Sequence, residues 1–344
     1  MNSDPRLISL QRWLAARFAE GGFALAPASE DASFRRYFRV SFADARPPLI
    51  VMDAPPEKED CRPFLHVAGL FAAAGAHVPR IVAENLDEGF LLLEDLGGTT
   101  YFERIQSRTL STGADAELAG PLYAAAIDTL IAIQAGGRPD TLKPYDRALL
   151  ERELALYPQW YVARHLGLSL GPADEKVLAT AFEAILANNL AQPRVPVHRD
   201  YHSRNLMVCE PLPGVLDFQD AVHGPITYDL VSLLKDAYVG WDENRVIDWC
   251  VRYWEKARKA GLPVSADFAD FYRDFEWMGV QRHLKVAGIF ARLAHRDGKR
   301  RYLEDLPLVL DYLDRACARY RELGPLAALL DRLHERNAKV GYTF

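Results

Sequence analysis

Cysteine is scarce in this 344-residue chain: Cys61, Cys209, Cys250 and Cys317 are scattered, with no CxxC pair and no histidine at metal-ligand spacing. That pattern argues against a zinc site or a disulfide framework and fits a reducing cytoplasm. A basic excess is missing too. Lys and Arg number 41 against 47 Asp and Glu, a net charge of -6, so the overall field repels phosphate-rich polymers and nucleic acid is not an expected partner. No apolar run approaches the roughly 20 residues needed to span a bilayer. At the N-terminus Arg6, Arg12 and Arg17 break up the apolar positions, so a signal peptide and a membrane role are not expected. What is present is ordinary for a folded protein: 49% hydrophobic and 26% charged residues, enough apolar material for a core without metal or disulfide staples. At about 150 residues per domain, the length suggests two domains or one large two-lobed one.

The periodicity changes along the chain. Leu7, Leu10, Leu14 and Phe18 have the spacing of an amphipathic helix. Period two follows in SFRRYFRVSF and PPLIVMDA, separated by ADARPP, which reads as an antiparallel hairpin. A helix is expected over 59–74, ended by Gly75, then a strand pair in RIVAENLDEGFLLLEDL with a turn at 87–89. Strand, strand, helix, strand, strand makes an α+β lobe, and Gly97 and Gly98 directly after it are hinge candidates. The expected division is therefore 1–96 and 97–344. From Tyr101 on, helical spacing dominates, over 121–136, 147–166, 173–189, 246–260, 268–294 and 306–323. The helices are consistent with a monomer, since no leftover apolar stripe is obvious.

One stretch interrupts the helices with short apolar runs at 195–197, 206–208 and 215–218 between polar turns. It contains His198-Arg199-Asp200, then Asn205 five positions after Asp200, then Asp217 in LDFQD. Phosphoryl transfer explains this set. Mg²⁺ takes hard oxygen donors, which Asn205 and Asp217 supply, and Asp200 then accepts the proton of the attacking hydroxyl. His198 reads as an orienting, packed residue, and His202 and Arg204 in the same loop are candidate substrate contacts.

These motifs resemble the aminoglycoside phosphotransferase and choline kinase superfamily, relatives of the protein kinases. VHRDYHSRNLMV and GVLDFQDAVHGPITYDLVSLL look like its catalytic loop, metal-binding Asp and following helix start. The resemblance implies a bilobal kinase-like fold, a small antiparallel-sheet N-lobe that binds ATP and a mostly helical C-lobe carrying the catalytic loop and the sugar-binding helices. It makes Asp229 of the Y-D-L segment structural, and it makes LLLEDLGG a hinge that offers the backbone of Glu94 and Leu96 to adenine. VMDAPPEKEDCRPF, ELALYPQWY and QRHLKVAGIFARL sharpen it further. They are similar to the anomeric amino-sugar kinases of bacterial cell-wall recycling, which phosphorylate N-acetylmuramate and N-acetylglucosamine at C1. Another hydroxyl acceptor, such as an aminoglycoside, choline or homoserine, is the alternative within enzymes. A nucleotide-binding pseudokinase is the alternative outside them.

The chain departs from the kinase pattern where a strand Lys would hold the nucleotide phosphates. Met52 stands near that position. Arg35 and Arg36 in the preceding turn, with Ser33, are the favoured phosphate contacts, because Arg can grip phosphate through two N–H groups. Lys58 is the other nearby cation, and Glu59 is a partner for one of them. For the sugar, Gln281, His283 and Lys285 sit among apolar residues of one helical segment, with Gln281 and Lys285 on one face. Trp241, Trp249 and Trp277 suit either ring stacking or core packing.

Overall fold

Alternating apolar residues in the first hundred positions build a five-stranded antiparallel sheet: β1 Phe23–Glu30, β2 Arg36–Phe42, β3 Leu49–Asp53, β4 Ile81–Asn85 and β5 Phe90–Glu94, in the order β1-β2-β3-β5-β4. The computed structural model describes residues 4–18, 22–30, 34–105, 113–138 and 140–340. It divides into two compact units, Met1–Thr99 with Met207–Asp220, and Thr100–Leu206 with Ala221–Phe344. The α+β class expected from the patterning is what the chain adopts.

Strand β1 was not anticipated. Its sequence, FALAPASE, carries Pro27 in place of a ladder donor, and the pairing with β2 shifts register between Pro27 and Ser29. At a sheet edge that missing N–H costs little. Helix Pro5–Arg17 begins at Asp4, whose carboxylate accepts from the amides of Arg6 and Leu7. Its Leu10 and Leu14 are fully buried with Val40, Val51, Phe90 and Leu92, each such side chain contributing about 1.5–3 kcal/mol of transfer free energy. Phe18 lies just past the helix and meets Phe42 edge-on at 4.9 Å.

A single cut after residue 96 does not describe the division. Val208 donates its amide to the Thr99 carbonyl (2.8 Å), Val215 to that of His77 (2.8 Å), and Phe218 packs on Phe64 (4.8 Å) and Phe71 of helix Arg62–Ala73. The segment carrying Asp217 therefore belongs to the first unit. Gly97, with φ +95°, donates its amide to Asp95 and accepts from Arg39 through its carbonyl, so it too is tied to that unit.

The second unit is helical and centres on Phe268–Arg296, buried without interruption from Phe275 to Gly288. Tyr157–His165, Tyr228–Leu234 and Leu306–Arg319 pack around it. Gly288 permits the closest approach: a Cβ there would lie 2.5 Å from the Leu156 carbonyl carbon. The expected continuous helix over 147–166 is an α-helix, Arg147–Leu154, followed by a π-helix, Tyr157–His165. Pro158 at its start has no N–H to continue the α-helical ladder. Among the described residues no helix is long and apolar enough to cross a membrane.

Candidate active site

Strand Arg194–Val197 pairs with Val222–Pro225 and delivers His198 to a tight loop. Arg199 adopts φ +79°, an unfavourable backbone state for a residue with a Cβ. Asp229 holds it there, its buried carboxylate accepting from the amides of His198 (2.6 Å) and Arg199 (3.0 Å). Burial pushes the Asp229 carboxyl up to about 6, against the downward pull of His198 and the two amides. The amide of Asp200 donates to His198 Nδ1 (3.2 Å). The Asp200 carbonyl accepts from the His202 amide (3.0 Å) and from Asn205 Nδ2 (2.9 Å), which sets the side-chain orientation of Asn205. Ser203 is anchored by its amide on Asp236 (3.0 Å). The loop is thus tied from both ends and from behind.

Charge around Asp200 is arranged by a second buried carboxylate, Glu153. It accepts from Arg199 Nη2 (2.6 Å) and from the Tyr145 hydroxyl, and Lys285 Nζ lies 3.0 Å from it while donating to the Tyr228 hydroxyl (2.9 Å). Burial alone would raise the Glu153 carboxyl, but Lys285 and Arg199 outweigh it and hold it below its ordinary value. Burial likewise works against Asp200, and Lys285, His202, Arg282 and Arg199 bring it down to about 2. Asp200 is therefore a carboxylate throughout the physiological range.

In the first unit, Asp217 occupies a left-handed turn (φ +60°) with its side chain 42% exposed. Gln219 Nε2 donates to it (2.8 Å) and Arg35 Nη2 lies 3.8 Å away. The buried ring of Phe218, packed on Phe64 and Phe71, anchors this turn, so the neighbouring carboxylate is displayed from a packed segment. Leu96 is buried against the strand Gly214–Val215, where a Cβ on Gly214 would come within 2.8 Å of Leu96 Cδ1. Among the described residues none accepts a hydrogen bond from the Leu96 amide, while the Glu94 amide donates to the Arg80 carbonyl (2.9 Å).

Several expected contacts are placed otherwise. Arg36 faces Asp53 across β2 and β3 and bonds that buried carboxylate, with Arg6 (2.8 Å) on its other oxygen; Arg36 also pairs with Asp4. It staples the sheet to the first helix, which corrects its reading as a phosphate contact. Met52 is buried. Lys58 sits 4.4 Å over the Phe34 ring, and Glu59 accepts from the Phe34 amide. Ser33 lies outside the described residues. Gln281, His283 and Lys285 are all buried: Gln281 donates to the Leu150 carbonyl (3.2 Å), His283 bonds the Lys235 carbonyl (3.0 Å) and stacks on Tyr312, and Lys285 serves Glu153. Helical spacing put two of them on one face, but that face is interior, so the structure gives them core partners in place of a sugar. Trp241, Trp249 and Trp277 are likewise core. His202 and Arg204 stay at the loop, the first beside the Tyr238 ring (5.3 Å) and the second over it (3.7 Å). Glu153 escaped the sequence reading, although it shares the Leu150, Leu154 and Tyr157 stripe, where a charge must find a partner.

The donor types suit a hard cation held partly by phosphate oxygens. Asn205 in the second unit carries an amide oxygen and Asp217 in the first a carboxylate oxygen, each a hard donor type, and no group of three His, Cys, Asp or Glu able to hold a metal occurs among the described residues. Mg²⁺ is commonly bound in this way, by one or two protein oxygens together with a nucleotide.

Residues 24–268 match the phosphotransferase enzyme family. A Pseudomonas aeruginosa protein named N-acetylmuramate/N-acetylglucosamine kinase is 51% identical over 97% of this chain and 98% of its own length. A Neisseria meningitidis protein of the same name is 47% identical, over 98% and 99%. Among solved structures, a choline/ethanolamine kinase family protein from Mesorhizobium loti superposes with a TM-score of 0.60 at 14% identity, covering 94% of this chain and 99% of its own.

Proposed function

The chain belongs to the phosphotransferase enzyme family, and on that premise we propose that it is a cytoplasmic, ATP- and Mg²⁺-dependent kinase that phosphorylates N-acetylmuramate and N-acetylglucosamine at the anomeric C1 hydroxyl. The observation that carries this reading is full-length identity near 50% to two kinases of that name, together with intact Asp200, Asn205 and Asp217. An aminoglycoside, choline or homoserine acceptor has no comparable support. Intact catalytic positions also disfavour a pseudokinase.

Asp200 receives the C1 hydroxyl as a hydrogen-bond donor and orients its oxygen toward the γ-phosphorus. A carboxylate near 2 is a weak base, so it takes the proton late, as the new O–P bond acidifies the hydroxyl and the bond to ADP breaks. A hemiacetal hydroxyl is more acidic than an ordinary alcohol, which lessens the demand. Asn205 and Asp217 would each offer an oxygen to Mg²⁺, whose charge neutralises the β- and γ-phosphates. Arg35, beside Asp217, is the phosphate-gripping cation in place of the strand Lys, and the backbone of Glu94 and Leu96 meets adenine.

Asp200→Asn tests the assignment. We expect kcat for ADP release to fall by about 10³–10⁴-fold with nucleotide affinity largely kept, and NMR of the wild-type product to show a C1 phosphate. Loss of ATP affinity with normal residual turnover would contradict the role of Asp200. A wild-type enzyme that turns over neither sugar would reject the substrate.

A further inference from the structure

Arg204 differs from every other cation that acts on the Asp200 loop. Arg199 is committed to Glu153, and Lys285 to Glu153 and Tyr228. Arg282 donates to Ser232 Oγ (2.8 Å) and is only 2% exposed, so a substrate does not reach it. The Arg204 side chain is 30% exposed. Its guanidinium lies 3.7 Å over the Tyr238 ring and 4.7 Å over that of Phe102, two rings that themselves meet edge-on at 6.3 Å. The Phe102 amide donates to the Ser203 carbonyl (3.0 Å) and Ser203 is anchored on Asp236, so backbone and rings both hold the group in place. Asp305, itself buried, stands 3.9 Å from Nη2, beyond hydrogen-bond distance. Arg204 Nε is buried and has no hydrogen-bond partner among the described residues.

A guanidinium that is aromatic-clamped and partly exposed is pre-organised for one further anion at its outer N–H groups, and a planar carboxylate can accept from two of them at once. Of the two proposed sugars, N-acetylmuramate carries a lactyl carboxylate and N-acetylglucosamine does not. Resting on the function proposed above, we infer that Arg204 is the residue that distinguishes the two sugars, by pairing with the lactyl carboxylate of N-acetylmuramate.

Steady-state kcat/KM on both sugars, for the wild type, Arg204→Met and Arg204→Lys, decides it. Met keeps an unbranched apolar stem between the rings, and Lys keeps the charge without the fork. The ratio of kcat/KM for N-acetylmuramate to that for N-acetylglucosamine should fall about 30- to 100-fold in Arg204→Met, the usual worth of a charged two-point contact, and by less in Arg204→Lys. The methyl ester of N-acetylmuramate, offered to the wild type, should lose the same advantage whatever the variants do. An equal fall for both sugars, an unchanged ratio, or an ester used as well as the acid overturns the inference and leaves the kinase assignment standing. Wild-type failure on both sugars overturns the assignment itself.

Discussion

In each unit a buried carboxylate holds two cations, Asp53 in the first and Glu153 in the second, and these two clusters do different work. In the first, Asp53 joins Arg6 and Arg36, whose side chains remain 28% and 39% exposed. Water reaches the cations, so the cluster fastens a helix to a sheet and little else depends on it. In the second, Glu153 joins Arg199 and Lys285, which are 19% and 8% exposed, and Arg199 is the left-handed residue immediately before Asp200. There the same chemistry fixes the backbone of the proposed catalytic loop and sets the charge around it. In these two clusters the partners differ most in burial, and the drier pair is the one beside Asp200.

Substitution should break this contrast open. Glu153→Gln strands two cations in a dry interior, and we expect urea unfolding to show a loss of about 3–5 kcal/mol, with kcat reduced as well because Arg199 loses its anchor. A next, smaller effect concerns pH. Asp229 titrates near 6 in the folded protein against an ordinary 3.8, so between about pH 4 and 6 the folded form keeps a proton that the unfolded chain has released. Stability from this group therefore falls as pH rises across that window, by up to about 3 kcal/mol. Asp200, held at about 2, has the opposite sign: its contribution is present above its ordinary value and is lost as pH falls through 2. Denaturant midpoints of the wild type and Asp229→Asn, measured from pH 4 to 7, should converge toward the high end if Asp229 carries the slope. Asp53→Asn is the mildest change. It should cost about 1–3 kcal/mol and leave kcat of the folded enzyme in the cold near that of the wild type; a fall in kcat matching Glu153→Gln would erase the distinction between the clusters.

Much of the candidate site was legible as a local arrangement. His198-Arg199-Asp200 and Asn205 lie within eight residues, and their spacing is itself the signal, because a tight loop must bring them together. Asp229 as the brace followed from resemblance, and the two amides it accepts supply the physical reason. The helix face bearing Gln281 and Lys285 misled, since period 3.6 reveals which residues share a face but not whether that face meets solvent or the core. Arg36 misled for a related reason: a turn arginine reads as available to phosphate until strand register sets it opposite Asp53.

By itself the amino-acid sequence determined the class of fold and the candidate catalytic loop, because these are written in periodicity and in spacing along a short stretch of chain, while the family came from the resemblance of whole motifs. The tertiary structure alone decided which cations are spoken for. Arg199 meets a carboxylate 46 positions away and Lys285 a hydroxyl 57 away, and pairings at that range depend on how helices pack, which no local pattern encodes. Arg204 stands apart only once those partners are known.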